Sequence, residues 1–491
     1  MKKYIISIDQ STTSSKVFLI NDRGKICYKA NYPHKQYYPR QGWVEQDAEE
    51  IFENVKKGVQ EILENGEASS SEIKGVALTN QTGAFVLWDK KTGQPVYHII
   101  GWQCGRGYSV VEKMSDKEIA LFIKKTGGEP SAFYPASKLK WLFEQNPDLH
   151  ERARAGEVLF GTIDSWLIWK LTDGKVHASD YGNACLTQLF NIFEQRWDTD
   201  ILEWLEVPEH ILPETLESDG DFGKVMIQGV PEWPICAVIG DSNGALFGQC
   251  GFETGKIKIT YGTGVSVLVN MGKEAVGAKN GLMPAVSWKR NGEVNYVLEG
   301  TAVCAGASIN WLVNELGVLE SAEESERLAQ SIDSTEGVYF VSAFSGLGTP
   351  YWDKNARACI WGMKSGVGKA HLVRAALEGI TYQVRDILHA AFGEKLPEGI
   401  LLADGGMTAN AYLMQFQADI TGMSVVRNKM EDSSAIGASY IAGLKLKIWQ
   451  NINEIKELLE EKEIYKPKMK KEEAQRLYLG WLKAVEQARK G

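Results

Sequence analysis

The sequence predicts an α/β protein whose 491 residues form two halves of similar architecture. Runs with the period of strands alternate along the chain with runs that have the period of amphipathic helices, and this alternation is typical of α/β folds. A strand–turn–strand pattern at residues 4–20 is repeated at residues 257–269. Such a repeat favours a duplicated architecture, and the alternative is a chance resemblance between two hairpins.

The first half is predicted to open with a hairpin and to continue through a helix into further strands. The hairpin turn is short and rich in hydroxyl groups. Asp47 and Glu50 have the spacing of a capping box, and apolar residues at helical spacing follow them. The strands predicted here are at residues 4–8, 16–20, 25–32, 75–79 and 84–88.

The second half repeats this alternation. Glycine-rich turns follow two of its strands, and a helix with apolar residues follows the last of these turns. The Lys- and Glu-rich stretch at residues 455–471 is interpreted as a solvated helical face and a linker. The strands predicted from residue 235 onward are at residues 235–240, 257–260, 265–269 and 400–403.

Composition excludes several classes of function. Lys and Arg number 54 and Asp and Glu number 63, so the formal net charge is -9. This balance disfavours nucleic acid or an anionic membrane as the main partner. The seven scattered cysteines show no C-x-x-C spacing and are interpreted as reduced thiols of a cytoplasmic protein. The histidines form no ligand motif, which disfavours a zinc enzyme.

The turn after the first strand carries groups that suit a phosphate. Asp9 ends the strand, and Thr12, Thr13 and Lys16 follow it. Backbone N–H groups and hydroxyls in such a turn hold phosphate oxygens, Lys16 adds positive charge, and Asp9 holds Mg²⁺ through water. The alternative is a polar hairpin loop without a ligand.

Two glycine-rich turns in the second half have similar chemistry. Gly262 and Thr263 lie between two strands, and Gly405 and Gly406 lie between a strand and a helix N-terminus. Each turn alone is a weak signal, because glycine-rich turns also form plain hairpins. Together with the first turn they predict a nucleotide-binding cleft.

Asp241 follows the buried strand predicted at residues 235–240. A carboxylate at the C-terminal end of such a strand faces the crevice in which α/β sheets bind ligands. There it can accept a proton from a substrate hydroxyl. The alternative is a helix N-cap, because a helix-like segment follows directly.

Longer segments resemble a known family. Residues 133–145 resemble the first signature of the FGGY carbohydrate kinases, and residues 358–363 with 371–378 resemble the second. Residues 42–47, 159–164 and 343–352 are similar to the glycerol kinase branch of that family. The resemblance implies two actin-like, ribonuclease H-like ATPase domains with a cleft between them. We expect the N-terminal domain, with the acceptor site and the first phosphate turn, at residues 1–249, and the ATP-binding C-terminal domain at residues 250–491.

The resemblance also implies a reaction, in which ATP with Mg²⁺ phosphorylates a hydroxyl of a sugar or polyol. Asp241 matches the catalytic base, and Asp9 with Asp241 lies near the magnesium ion. Lys16 stands where the glycerol kinase branch usually has Arg, and it remains a good phosphate partner. The positions that match nucleotide contacts are Thr12, Thr13, Lys16, Gly262, Thr263, Gly306, Asn310, Gly405, Gly406 and Asn410.

The expected acceptor pocket departs from the glycerol kinase pattern. After Gln81, Thr82 and Gly83 replace an Arg–Glu pair that grips a triol. Three further positions carry smaller side chains than the family pattern, so a small triol would leave volume and hydrogen-bonding groups unmatched. We therefore expect an acceptor larger than glycerol, namely a polyol, a ketose or a cyclitol such as a keto-cyclitol, with glycerol as the alternative. The expected acceptor-binding residues are Gln81, Thr82, Gly83, Trp102, Gln103, Phe133, Asp241, Ser242 and Ser266.

A remote alternative from another class is an actin- or Hsp70-like ATPase that closes on a partner protein. Dependence of ATP turnover on an added polyol distinguishes the two. The kinase hypothesis predicts a small polyol or sugar as partner, with no nucleic acid and no membrane, in the cytoplasm. The oligomeric state is left open, with a homodimer as one option.

Overall fold

The computed structural model describes residues 2–459 and 462–490, and its framework is a pair of mixed sheets. The N-terminal sheet has five strands, in the spatial order Ile235–Gly240, Ile73–Asn80, Tyr4–Gln10, Ser14–Asn21 and Ile26–Pro33. The C-terminal sheet has seven, in the order Met283–Arg290, Glu293–Ala302, Val265–Gly272, Ile257–Tyr261, Ile400–Asp404, Ser424–Asn428 and Lys462–Tyr465.

The two sheets share one arrangement. Tyr4–Gln10 pairs antiparallel with the next strand of its hairpin and parallel with Ile73–Asn80. Ile257–Tyr261 likewise pairs antiparallel with the next strand and parallel with Ile400–Asp404. The predicted α/β fold with two similar halves is therefore confirmed.

Helices cover the faces of both sheets and connect their strands. Asp47 caps the first helix by accepting from Glu49 N, whereas the carboxylate of Glu50 accepts from Lys35 N and does not complete the predicted capping box. The α-helices are Ala48–Asn65, Tyr108–Val111, Asp116–Thr126, Pro135–Gln145, Pro147–Arg154, Ile163–Leu171, Tyr181–Cys185, Thr199–Leu205, Asp241–Gly248, Gly306–Asn314, Glu324–Gln330, Lys369–Phe392, Ala411–Thr421, Ser433–Lys445, Ile452–Glu457 and Lys471–Lys490.

Smaller sheets complete the chain. The largest has the spatial order Gln36–Tyr37, Glu45–Gln46, Ile99–Ile100, Phe85–Asp89 and Val158–Thr162. The two-stranded pairs are Ala178–Asp180 with Glu214–Leu216, Phe190–Asn191 with Arg196–Trp197, and Tyr339–Val341 with Cys359–Trp361.

Helix Ser433–Lys445 comes from the second half of the chain but packs on the N-terminal sheet. Ile436 shares a core with Ile5 and Phe18. A Cβ added to Gly437 would lie 1.8 Å from the Gly244 carbonyl oxygen, so only glycine permits this approach of two helix backbones. The boundary between residues 249 and 250 stays a prediction.

The prediction for residues 455–471 is wrong in part. Lys462–Tyr465 forms the edge strand of the C-terminal sheet by pairing antiparallel with Ser424–Asn428. Ile464 and Tyr465 are residue types that favour strands, whereas the charges had favoured a helix. Residues 460 and 461 of this stretch lie outside the described residues. In the described part of the chain, no helix has the length and apolarity needed to cross a bilayer.

Candidate active site

The first phosphate turn is held between Asp9 and Lys16, which face each other across the opening hairpin. Burial raises the pKa of Asp9 to about 7, and the negative charge of Asp241 raises it as well, whereas Lys16 lowers it. Thr13 at the tip of the turn is exposed. The Lys16 ammonium lies 2.8 Å from Asp432 Oδ1.

Thr12 connects this turn to the predicted acceptor pocket. Its carbonyl oxygen accepts from Gln46 Nε2 at 2.9 Å and contacts His34 Nε2 at 3.0 Å. Its hydroxyl accepts from the indole N–H of Trp102 at 3.1 Å. The turn and the pocket wall are therefore positioned together.

The second phosphate turn lies against the start of helix Gly306–Asn314. Gly306 N donates to the carbonyl oxygen of Gly262 at 3.0 Å, and Ala305 N donates to that of Thr263 at 2.9 Å. Asn310 is exposed one helical turn further on. The structure thus brings together the predicted nucleotide residues of this turn and of the helix that follows.

The third turn packs on the second. Gly405 has φ +93°, and a Cβ there would lie 2.3 Å from the Tyr261 carbonyl oxygen, so the position requires glycine. A Cβ at Gly406 would meet nothing within 4 Å. Asn410 caps the next helix, since its Oδ1 accepts from Leu413 N at 2.9 Å. The Asn410 side chain, which is predicted to contact the nucleotide, therefore already caps a helix.

Asp404, at the start of the third turn, joins the two halves of the chain. Its Oδ1 accepts from the Thr260 hydroxyl at 2.5 Å, and its Oδ2 accepts from Gln249 Nε2 at 2.8 Å and from the Ser433 hydroxyl at 2.7 Å. No role was predicted for Asp404 from the sequence. Its position at a strand end was the available signal for a larger role.

Asp241 begins helix Asp241–Gly248, directly after the strand predicted for it. The N-cap is Gly240, and the Asp241 carboxylate accepts from Ser242 N at 2.7 Å rather than from the N–H groups that a capping side chain satisfies. Burial raises the pKa of Asp241, although the Ser242 N–H and Lys258 lower it. This geometry disfavours the N-cap alternative.

Four of the predicted acceptor residues meet beside Asp241. A Cβ at Gly83, where φ is +74°, would lie 3.4 Å from Trp102 Cβ and 3.6 Å from the Phe133 carbonyl oxygen. Thr82 Cγ2 lies 2.5 Å from the position of a Cβ on Gly240. Trp102 and Phe133 are 40% and 37% exposed, so together they form an apolar wall with one open face.

Lys138 holds this wall in place, and the sequence analysis assigned it no function. Its fully buried ammonium donates to the carbonyl oxygens of Gly101 and Trp102 at 2.9 Å each and to that of Phe133 at 2.8 Å. Burial lowers the pKa of Lys138 to about 7. A lysine within a run of buried helical positions was the signal in the sequence.

Two glutamines supply unpaired acceptors near the wall. Gln81 Nε2 donates to Gln46 Oε1 at 2.9 Å and to Gln10 Oε1 at 3.1 Å. Within the described residues, the buried Oε1 atoms of Gln81 and Gln103 have no partner. Because buried polar atoms in native proteins are normally paired, these oxygens suit the hydroxyls of a polyol.

The remaining predicted acceptor residues lie where the halves of the chain meet. Ser242 is half-buried next to Asp241. The Ser266 hydroxyl donates to Glu299 Oε1 at 2.9 Å. Lys258 lowers the pKa of Asp241, and Asp241 raises the pKa of Glu299. Neither Lys258 nor Glu299 was foreseen, because no local motif marks them.

A magnesium ion fits the two carboxylates of this site. No group of three or more His, Cys, Asp or Glu side chains that could hold a metal occurs among residues 2–459 and 462–490. Mg²⁺ usually keeps several waters and binds one or two carboxylates together with substrate phosphates. Asp9 and Asp241, whose charges interact, supply such a set.

Comparisons with known proteins point to kinases over the full chain. It is 41% identical over 490 residues to a glycerol kinase of Staphylococcus haemolyticus, covering 99% of this chain and 98% of the relative. The structure of Plasmodium falciparum glycerol kinase with ADP matches with a TM-score of 0.93 and 34% identity, over 99% of this chain and 98% of that one. A xylulose kinase from Lactobacillus acidophilus, 20% identical over 99% and 98% of the two chains, has the same fold with a TM-score of 0.89.

The expectation of an acceptor larger than glycerol is wrong, because both of the more similar relatives are glycerol kinases. That expectation was based on the uncharged residues Thr82 and Gly83, which stand where the glycerol kinase pattern has an Arg–Glu pair. It took no account of Lys258 and Glu299 in the C-terminal sheet, although Lys258 lowers the pKa of Asp241 and Asp241 raises the pKa of Glu299.

The family itself is identified by both halves of the chain. Residues 4–248 match the N-terminal domain, and residues 257–446 the C-terminal domain, of the FGGY family of carbohydrate kinases. The likeness to kinase structures confirms the predicted two-domain, actin-like fold. The remote alternative of a non-kinase ATPase is set aside: this chain belongs to the FGGY family of carbohydrate kinases and is a phosphotransferase with an alcohol group as acceptor.

Proposed function

We propose that this chain transfers the γ-phosphoryl group of ATP to a hydroxyl of glycerol. The observation that carries the proposal is the position of Asp241, beside the wall of Trp102 and Phe133 and close enough to Asp9 for their charges to interact. Glycerol is favoured as acceptor because the full-length relatives at 41% and 34% identity are glycerol kinases.

Asp241 is proposed as the general base. Burial raises its pKa, so its carboxylate is a better proton acceptor than an exposed aspartate. The proton leaves the attacking hydroxyl for Asp241 as the oxygen bonds to the γ-phosphorus and the bond to the leaving oxygen breaks. Catalysis then depends on positioning and on stabilising the negative charge of the transferring group.

The phosphate turns supply that stabilisation. Thr12, Thr13 and Lys16 are proposed to meet the phosphates from the N-terminal half, and a second set of residues does so from the C-terminal half. When bound between Asp9, Asp241 and the phosphates, Mg²⁺ supplies positive charge to the phosphate oxygens. The second set is Gly262, Thr263, Gly306, Asn310, Gly405, Gly406 and Asn410.

The acceptor is proposed to lie between the apolar wall and the polar groups beside Asp241. Trp102 and Phe133 cover its carbon chain, and the unpaired oxygens of Gln81 and Gln103 accept from its hydroxyls. We propose the acceptor site and first turn for residues 1–249, and the main ATP site for residues 250–491. A cytoplasmic location is proposed because ATP is available there and the seven cysteines are free thiols. A homodimer stays a prediction.

The proposal is tested by measuring ADP release with ATP and Mg²⁺ in the presence of glycerol, and without any alcohol as the control. Erythritol, xylulose and inositol are assayed at equal concentrations. We expect glycerol to give the highest kcat/KM and turnover without alcohol to be negligible. A higher kcat/KM for any of the other alcohols would contradict the proposal.

A further inference from the structure

Glu299 lies on the face of the C-terminal sheet that turns toward the N-terminal half. In strand Glu293–Ala302 it is opposite Leu268, which is in turn opposite Lys258. Residues directly opposite each other share one face of a sheet. Leu268 shares a core with Cys185 of the N-terminal half, so Lys258 and Glu299 point toward that half as well.

Two contacts fix strand Met283–Arg290 against the N-terminal half, one of them on the helix that carries Asp241. The Ser287 hydroxyl donates to Asn243 Oδ1 at 3.0 Å, two residues beyond Asp241. Val286 N donates to the thiol sulfur of Cys185 at 3.2 Å. The strand beside Glu299 is thereby attached directly to helix Asp241–Gly248.

The Glu299 carboxylate is held by one oxygen and open at the other. Oε1 accepts from the Ser266 hydroxyl at 2.9 Å. Within the described residues no hydrogen bond reaches Oε2, and the half-buried side chain leaves that oxygen accessible. Burial raises the pKa of Glu299, and the negative charge of Asp241 raises it as well, so the two carboxylates lie near each other.

Lys258 partly offsets the effect of burial on the two carboxylates. Its side chain is buried, and its positive charge lowers the pKa of both Asp241 and Glu299. On the N-terminal side, Thr82 and Gly83 carry no charge. Lys258 and Glu299 supply a positive and a negative group from the C-terminal sheet.

We propose that Glu299 is a specificity-determining residue of the acceptor site, whose Oε2 accepts a hydrogen bond from a hydroxyl of glycerol other than the one that transfers its proton to Asp241. Ser266 is the positioning residue that orients the carboxylate. The inference rests on the proposed function, because it names a contact to the same acceptor. A charge-assisted hydrogen bond of this kind discriminates strongly against alcohols that lack the hydroxyl.

The test uses Glu299→Gln and Ser266→Ala in the full chain, with Glu293→Gln as the matched control at the exposed end of the same strand. We expect Glu299→Gln to raise KM for glycerol about tenfold and Ser266→Ala to raise it by about threefold to tenfold. KM for ATP and the melting temperature should stay near the wild-type values in both. Isothermal titration of glycerol gives the same comparison without turnover.

Two diols identify the contact. Propane-1,2-diol lacks one terminal hydroxyl of glycerol, and propane-1,3-diol lacks the central one. If Glu299 accepts from one of these hydroxyls, the effect of Glu299→Gln on kcat/KM should vanish for the diol that lacks it and persist for the other. An equal effect on glycerol and on both diols, or no effect on glycerol, would overturn the assignment.

Failure of the proposed function has a different signature. In that case the wild-type chain would not phosphorylate glycerol but would accept another alcohol of the panel. The same variants assayed with that alcohol still decide the role of Glu299, since a hydroxyl contact predicts a raised KM for it, and an unchanged KM overturns the role.

Discussion

Lys16 and Asp432 join the first phosphate turn to the second half of the chain, with 2.8 Å between the ammonium and Oδ1. Lys29 approaches the other carboxylate oxygen of Asp432 at 2.5 Å from outside the cleft. Although burial raises it, hydrogen bonds from the two lysines lower the pKa of Asp432 below its usual value. The carboxylate therefore stays charged and orients Lys16.

This arrangement makes Lys16 and Lys29 a matched pair for testing phosphate binding. We expect Lys16→Met to raise KM for ATP by about tenfold or more, because it removes a positive charge from the phosphate turn. KM for glycerol should change little. Lys29→Met removes a charge from the same carboxylate outside the turn and should leave KM for ATP within about twofold. Equal effects of the two substitutions would assign Lys16 to the ion pair alone.

Asp241→Asn tests the general base. The amide keeps the shape of the side chain but does not take up a proton, so kcat should fall about 10²-fold or more. Binding of ATP, measured by titration calorimetry, should stay nearly intact. Near-normal turnover would show that Asp241 is not the base.

Asp9→Asn tests the cost of a buried carboxylate. Since burial raises the pKa of Asp9 to about 7, the folded state binds this proton more tightly than the unfolded state, whose carboxyl has a pKa of ~3.9. Wild-type stability should therefore fall as pH rises from about 4 to about 7. The amide of the variant does not ionise, so the variant does not lose this stability. Its melting temperature should therefore exceed that of the wild type at pH 8 and approach it near pH 5.

Thermal melts of both proteins across this pH range provide the measurement, with Asp22→Asn on the exposed hairpin turn as control. Turnover by Asp9→Asn should be lower than in the wild type at every pH, because the proposed magnesium site loses a ligand. A melting temperature below that of the wild type at pH 8 would contradict this account.

Lys138→Met tests the support of the acceptor wall. Without the ammonium, the carbonyl oxygens of Gly101, Trp102 and Phe133 lose their shared donor. We expect KM for glycerol to rise about tenfold or more and KM for ATP to change by less than about twofold. Lys140→Met, on the same helix with its ammonium against the Trp204 carbonyl oxygen, is the control. A similar rise in KM for ATP would indicate general loosening of the fold.

Local signals in the sequence predicted the framework of the site. The hairpin around Asp9, the strand before Asp241 and the turn at Gly262 each depend on residues within about ten positions of one another. The structure has all three where the pattern indicated them. Such elements are predictable because strand period and turn residues act over short distances.

Long-range contacts account for what the sequence did not predict. Strand register sets Glu299 opposite Leu268, and Asp432 contacts Lys16 across 416 positions of the chain. No periodicity within a segment reports such a pairing. The expectation of a larger acceptor failed for this reason. It was based on the absence of charge at Thr82 and Gly83, and it did not include charged residues that are distant in sequence.

Helix Ser433–Lys445 has a consequence for how the protein is made. The ribosome synthesises the strands of the N-terminal sheet before helix Ser433–Lys445. In the folded protein, however, Ile5 and Phe18 of that sheet pack against Ile436 of this helix. The N-terminal half therefore cannot complete its core until residue 445 of 491 has been translated. Until then, part of the apolar face of its sheet stays exposed. Vectorial folding of early domains is limited here, and we expect nascent chains that stall before this helix to be held by chaperones.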